Sequence, residues 1–173
     1  MNPLEIILFI LPAYVANATP VLLRGKTPID FGTQLGDKQR IFGQNKTIKG
    51  FIAGVAGGTV TGIIITLLFP QIFPTVSTND KILIYFLLSL GAMLGDLIGS
   101  FVKRRRGMQS GSESLVMDKI LFVIIALVVA YPAYSGKINL LHLDAVIIVA
   151  LTYLLHIAFN KIAHYLKLKK VPW

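Results

Sequence analysis

The chain has 173 residues, of which 54% are hydrophobic and only 14% charged, with a formal charge of +9. That balance is too apolar for an ordinary soluble domain of this length. It also argues against a nucleic-acid binder, because the cations sit between long apolar runs instead of on one soluble face. There is no cysteine, so disulfides, thiolate metal sites and cysteine nucleophiles are excluded.

A membrane helix needs about 20 mostly apolar residues. Five segments qualify, at 3–23, 50–70, 82–102, 117–135 and 144–166, and none alternates as a membrane barrel strand would. The expected fold is an all-α integral membrane protein forming one domain over residues 1–173. The first segment lacks the basic leader of a signal peptide and carries Glu5 instead, so it reads as a retained span. Pro12, Pro20 and Pro132 fall in or near spans, which membrane helices tolerate. In the second span, Gly50, Gly54, Gly57, Gly58 and Gly62 recur at close-packing intervals.

The cations divide unequally. Arg24, Lys26, Lys38, Arg40, Lys46 and Lys49 flank the first long loop. Lys103, Arg104, Arg105, Arg106 and Lys119 surround the next connection on the same side, and Lys161, Lys167, Lys169 and Lys170 end the chain. The other side has only Lys81 and Lys137, so the distribution is fifteen against two. By the positive-inside rule the N-terminus lies outside and both basic loops, with the C-terminus, lie in the cytoplasm.

The third span ends in "GDLIGSFVKRRRG", residues 95–107. Asp96, Ser100 and Lys103 share a helix face, with Asp96 about 10 Å below Lys103 at helical rise. An acid at that depth requires a water-filled cavity or a partner. One reading is an ion pair with a basic residue at another span's end. The other is a metal and phosphate site in which Asp118, opening the fourth span, supplies a second carboxylate. Carboxylates plus phosphate oxygens are the usual magnesium ligands.

Before the second span, Asn45 or Thr47 can cap the helix, and its free N–H groups with Lys46 and Lys49 make an anion site. Gly43 and Gly50 allow close approach. The alternative is an ordinary cap with surface lysines. Glu113, Asp30 and Asp37 read equally as solvated loop acids or as groups reaching a metal through water. His142, His156 and His164 read as packing or interfacial residues. No HExxH, GxSxG, P-loop or strand-framed GxGxxG occurs.

Together, "NKTIKG", "GVAGGT", "GDLIGSFVKRRRG" and "SLVMDK" resemble the integral-membrane CTP-dependent cytidylyltransferases that make CDP-activated lipids. With "PAYVANATPVL" and "DKQRIFGQNKTIKG", the chain is most similar to their shorter archaeal branch, the CDP-archaeol synthases. The bacterial "KDxxxxxPGHGGxxDRxD" stretch is absent, and of its terminal acids only Asp118 has a counterpart. The resemblance implies attack of a lipid phosphate, 2,3-bis-O-geranylgeranylglycerol 1-phosphate, on the α-phosphorus of CTP, releasing pyrophosphate and requiring Mg2+.

On that reading Asp96 and Asp118 hold the metal, and Lys103 and Arg104 hold phosphate oxygens. Ser100 orients a phosphate or a water, Lys46 and Thr47 cradle the nucleotide's phosphates, and Asn45 helps position the nucleotide. Catalysis is then positioning and charge stabilisation, with no nucleophilic side chain. A diacyl-type lipid phosphate or a small membrane transporter are the competing readings. The transporter would not need two converging basic loops and would more often show internal repeats, which are absent.

Overall fold

The computed structural model describes residues 1–23, 25–108 and 119–165, leaving aside the side chains of residues 156, 159, 160 and 162–164. Arg24, Glu113, Asp118, Lys167, Lys169 and Lys170, and the side chains of His156 and His164, therefore lie outside the described residues. The described residues form five helices: α1 (Pro3–Leu22), α2 (Ile48–Leu68), α3 (Thr78–Arg105), α4 (Leu121–Tyr134) and α5 (His142–Tyr165). Each overlaps one expected span.

The largest difference is in α3. Its 28 residues span about 42 Å at helical rise, well beyond the ~30 Å hydrocarbon core. Hydropathy clips such a helix at both ends, because Thr78–Lys81 and Lys103–Arg105 are polar yet still helical. Ser77 starts the helix early, its Oγ accepting from the Asp80 N–H at 3.1 Å. Three basic residues in the last turn suit the negative end of the helix dipole.

Helix α3 is central and packs on α1, α2 and α4, while α5 lies at the edge against α1 and α4. Without water in the hydrocarbon, helices associate through close packing, and small residues permit it. Gly50, Gly54, Gly58 and Gly62 form one buried stripe along α2. A Cβ at Gly58 would lie 2.5 Å from the Pro12 carbonyl oxygen of α1, with Ser89 Oγ of α3 as close on its other side. Gly91 and Gly95 do the same for α3 against α4, where added Cβ atoms would meet the Cα atoms of Ala126 and Phe122 at 2.7 and 2.6 Å.

At the end formed by the α2–α3 and α4–α5 connections, Phe9 sits edge-on to Phe73 and Tyr134, with centroids 6.1 and 5.5 Å apart. The two cations there are both engaged. Lys137 Nζ donates to Asp80 at 2.7 Å, and Lys81 Nζ donates to the Pro70 carbonyl at 3.1 Å. The opposite end carries the long α1–α2 loop and the polar residues singled out in the sequence.

Candidate active site

The α1–α2 loop has no regular strand, but it is closely tied. An antiparallel bridge joins Pro28 to Thr47, through Ile29 N–H to the Lys46 carbonyl at 2.8 Å and Ile48 N–H to the Thr27 carbonyl at 3.0 Å. Thr47 is the N-cap of α2, its Oγ1 accepting from the Gly50 N–H at 3.2 Å. The same oxygen accepts from the Gly25 N–H at 3.1 Å, so one hydroxyl joins both ends of the loop. Of the two capping candidates, Thr47 holds the position.

Inside the loop, Asp30 is only 5% exposed. Its Oδ1 accepts from Arg40 and, at 3.1 Å, from the Gly32 N–H. Its Oδ2 accepts from the N–H groups of Phe42 at 3.1 Å and Gly43 at 3.0 Å. Burial by itself would raise the carboxyl's pKa. The Arg40 guanidinium and the three N–H groups outweigh that and hold it well below the usual carboxylate range. Gly43 has φ 97, a left-handed conformation that a side chain would strain.

The loop is docked on the end of α3. Arg105 donates to Asp37 Oδ1 at 2.7 Å, and to the carbonyls of Gln39 at 3.2 Å and Arg40 at 2.6 Å. Its guanidinium also lies 5.3 Å from the centre of the Phe101 ring. Asp30 and Asp37 thus organise and anchor the loop. Sequence reasoning missed both roles, because the only local signal was Asp30 two residues before a glycine, an Asx-turn pattern.

The consequence is the position of Lys46. Its Nζ donates to both oxygens of Asp96, at 2.7 and 2.6 Å, across 50 residues of sequence. The ammonium side chain is 25% exposed and the carboxylate 27%, so the pair sits at the mouth of the site and not in the deep interior. Asn45, Lys46, Thr47, Gly50 and Asp96 line a common cavity of about 30 Å³, with Pro20, Ile29, Phe51, Met93 and Leu97 as its apolar wall. The ion-pair reading of Asp96 therefore describes this structure, and its partner is the lysine assigned to phosphate binding.

The other expected residues are placed less directly. Lys49 is exposed in the first turn of α2. Ser100 and Arg104 are buried on the last turns of α3, and Lys103 beside them is half-buried. None of these four lines the small cavity. Asp118 lies outside the described residues. Its neighbour Lys119 is buried, its amino group 5.9 Å from the centre of the Tyr153 ring.

Asp96 is the carboxylate that lines the cavity, and a divalent cation there would take the place of the Lys46 ammonium that now occupies both its oxygens. Among the described residues no group of three or more His, Cys, Asp or Glu side chains converges. A cage made wholly of protein ligands is thus not formed by those residues. One or two carboxylates completed by substrate phosphates is the arrangement that magnesium commonly takes.

An all-helical, multi-pass membrane protein with a carboxylate, lysines and the capped start of a helix at one end has the form of an intramembrane enzyme acting on phosphorylated substrates. A family model described as "CarS-like: CDP-archaeol synthase" matches residues 2–173. The chain belongs to the CDP-archaeol synthase family. It is 42% identical to the CDP-archaeol synthase of Pyrococcus furiosus over 174 residues, covering 100% of both chains. It is also 42% identical to that of Archaeoglobus fulgidus over 176 residues, covering 98% and 97%. A solved structure described as "Structural insight into an intramembrane enzyme for archaeal membrane lipids biosynthesis" matches with a TM-score of 0.81 at 36% identity, covering 92% of this chain and 94% of the other.

Proposed function

We propose that this chain, a CTP-dependent nucleotidyltransferase of archaeal lipid biosynthesis, joins its two substrates at the Lys46–Asp96 end of the bundle. The reaction makes CDP-archaeol. An oxygen of the lipid phosphate, 2,3-bis-O-geranylgeranylglycerol 1-phosphate, attacks the α-phosphorus of CTP. The bond from that phosphorus to the bridging oxygen of the β-phosphate breaks, and pyrophosphate leaves. Both reactants are polyanions, so the protein's main task is to offset their repulsion and align them.

The observation that carries this reading is the Lys46–Asp96 pair beside the capped start of α2. It sets a cation and an anion together where a metal–triphosphate complex needs one of each. With nucleotide bound, Lys46 would pair with a phosphate oxygen in place of the carboxylate, and Asp96 would be free to hold the divalent cation. Neither charge is stranded at any point, which matters at a partly desolvated site. The positive end of the α2 dipole favours the same phosphates, with the Ile48 and Gly50 N–H groups already held by Thr27 and Thr47.

Asp96 and Asp118 would hold the divalent cation, taken as magnesium, which when bound supplies charge neutralisation and polarisation of the α-phosphoryl group. Lys103 and Arg104 hold further phosphate oxygens, Ser100 orients a phosphate or a water, and Asn45 and Lys49 border the nucleotide. The whole chain acts as one domain. The preponderance of cations at this end supports a cytoplasmic active site, where CTP is available and the lipid tails stay in the bilayer.

The test is release of pyrophosphate by the purified protein from CTP, Mg2+ and the unsaturated diether phosphate, with diacyl phosphatidic acid as the comparison lipid. Turnover with the diether and loss of turnover in Asp96→Asn, with unchanged membrane insertion, are expected. Normal turnover in Asp96→Asn would remove the site, and turnover restricted to the diacyl lipid would remove the substrate.

A further inference from the structure

The carboxylate of Asp30 is the most fully engaged in the loop, yet it faces neither Lys46 nor Asp96. All four of its hydrogen bonds run to the loop itself: to Arg40, to Gly32, and to the consecutive N–H groups of Phe42 and Gly43. Those last two begin the segment that ends in Lys46 and Thr47. The next link is the hydrogen bond from the Lys46 N–H to the Gly43 carbonyl at 3.4 Å. Beyond it the Lys46 carbonyl is fixed by Ile29 N–H, next to Asp30 in sequence. Asp30 therefore grips the start of the lysine-bearing segment, and its neighbour grips the end.

Arg40 extends the chain of contacts to α3. Its guanidinium is held by Asp30, and its carbonyl accepts from Arg105 at 2.6 Å. Arg105 lies on the same helix as Asp96. A continuous set of hydrogen bonds thus runs from the helix carrying the acid, through Arg105, Arg40 and Asp30, to the backbone carrying the lysine. Asp30→Asn would leave one acceptor oxygen in place of two, so either the Arg40 side or the Phe42 and Gly43 N–H groups lose their partner.

We propose that Asp30 is a positioning residue for the nucleotidyl transfer: it fixes the 42–47 segment so that the Lys46 ammonium meets the phosphate that Asp96 and its metal address. The inference rests on the phosphate role of Lys46 described above. Asp30 touches no substrate, and its whole effect on the reaction passes through Lys46.

A double-mutant cycle tests this, because residues acting through one another are non-additive. The purified, full-length protein is compared as wild type, Asp30→Asn, Lys46→Met and the double variant, by kcat and KM for CTP with pyrophosphate release as the readout. Asp30→Asn lowers kcat/KM about tenfold in the wild-type background, in line with loss of hydrogen bonds to a charged group. In the Lys46→Met background the same change costs less than about twofold. Hydrogen exchange in residues 42–47 rises in Asp30→Asn, while exchange in α3 does not.

Equal losses in both backgrounds would overturn the inference, since a merely structural defect ignores Lys46. Wild-type activity in Lys46→Met alone would instead overturn the phosphate role on which it rests. Should Asp30→Asn fail to yield a folded protein, Arg40→Met enters the same cycle with the same expected and overturning results.

Discussion

The two ends of the bundle solve opposite problems. At the α2–α3 and α4–α5 end, Phe9, Phe73 and Tyr134 close the interior edge-to-face, and both cations find oxygen partners. Among the described residues, two lysines and three acids fall toward that end, against eleven cations and three acids toward the other. With the N-terminal ammonium held by Asp144 at 3.3 Å, the charges of the first end cancel. The second carries a surplus of positive charge that its own acids do not neutralise, with ion pairs at its mouth. A surplus of cations on one side orients any multi-pass protein, and here that surplus also surrounds the Lys46–Asp96 pair.

The largest expected effect follows from removing the acid that α3 carries at the positive end. On the proposed metal role, Asp96→Asn lowers turnover by about three orders of magnitude, a loss of several kcal/mol, measured by pyrophosphate release. Lys46→Met comes next. It loses a charge-assisted contact of about 1.5–3 kcal/mol, so kcat/KM for CTP falls roughly tenfold to a hundredfold, with Asp96 then carrying an uncompensated charge when substrate is absent.

Helix packing separates stability from chemistry. Gly58→Val would push side-chain atoms into the Pro12 carbonyl and Ser89, and costs about 1–3 kcal/mol of stability as overpacking does. The readout is the thermal midpoint in detergent, and a similar loss is expected for Gly95→Val at the Phe122 backbone.

A pH series sharpens the picture of the loop. The folded-state pKa of Asp30 is depressed, so its stabilisation is complete above the ordinary carboxyl value near 4 and is lost as pH falls below it through the folded value. Arg40, held by Asp30, and the Arg105–Asp37 pair are the charged neighbours. The protection factors of residues 25–47, taken from exchange rates corrected for their intrinsic pH dependence, should stay constant from neutrality down to about pH 4 and fall in more acid solution. The smallest effect belongs to the balanced end. Lys137→Ala breaks an exposed pair with Asp80 and leaves turnover within about twofold of wild type. A large loss there would erase the contrast between the ends.

Much of this was written in hydropathy. Five apolar runs give five helices because lipid offers backbone groups no other partner, and the glycine spacing of α2 becomes its packing stripe. The ends of α3 were misjudged for a physical reason, since a helix does not stop where its side chains become polar. Asp96, Lys46 and Thr47 could be named individually from residue type and place. Their convergence could not, because the meeting of Lys46 with Asp96 depends on an irregular loop. That loop turns through left-handed conformations at Phe31, Gly32, Lys38 and Gly43, and no hydrophobic period encodes such a path. Asp30 shows the limit best. In the sequence it is one loop acid among several, and only the folded chain reveals that it is buried.

The hydroxyl of Thr47 clasps both Gly25 and Gly50 beside the backbone bonds of Ile29 to Lys46 and of Ile48 to Thr27, so the polar insert between α1 and α2 is a ring closed at its base. The turn farthest from that clasp, near Gly36, is open to solvent, and a side chain there would touch nothing. Chain length can drift at Gly36 as far as the neighbouring Asp37 keeps its hold on Arg105, since extending an exposed turn itself adds only slowly to closure entropy. A residue inserted beside the clasp would shift the lysine off its mark, so size variation has one tolerant spot and one forbidden one.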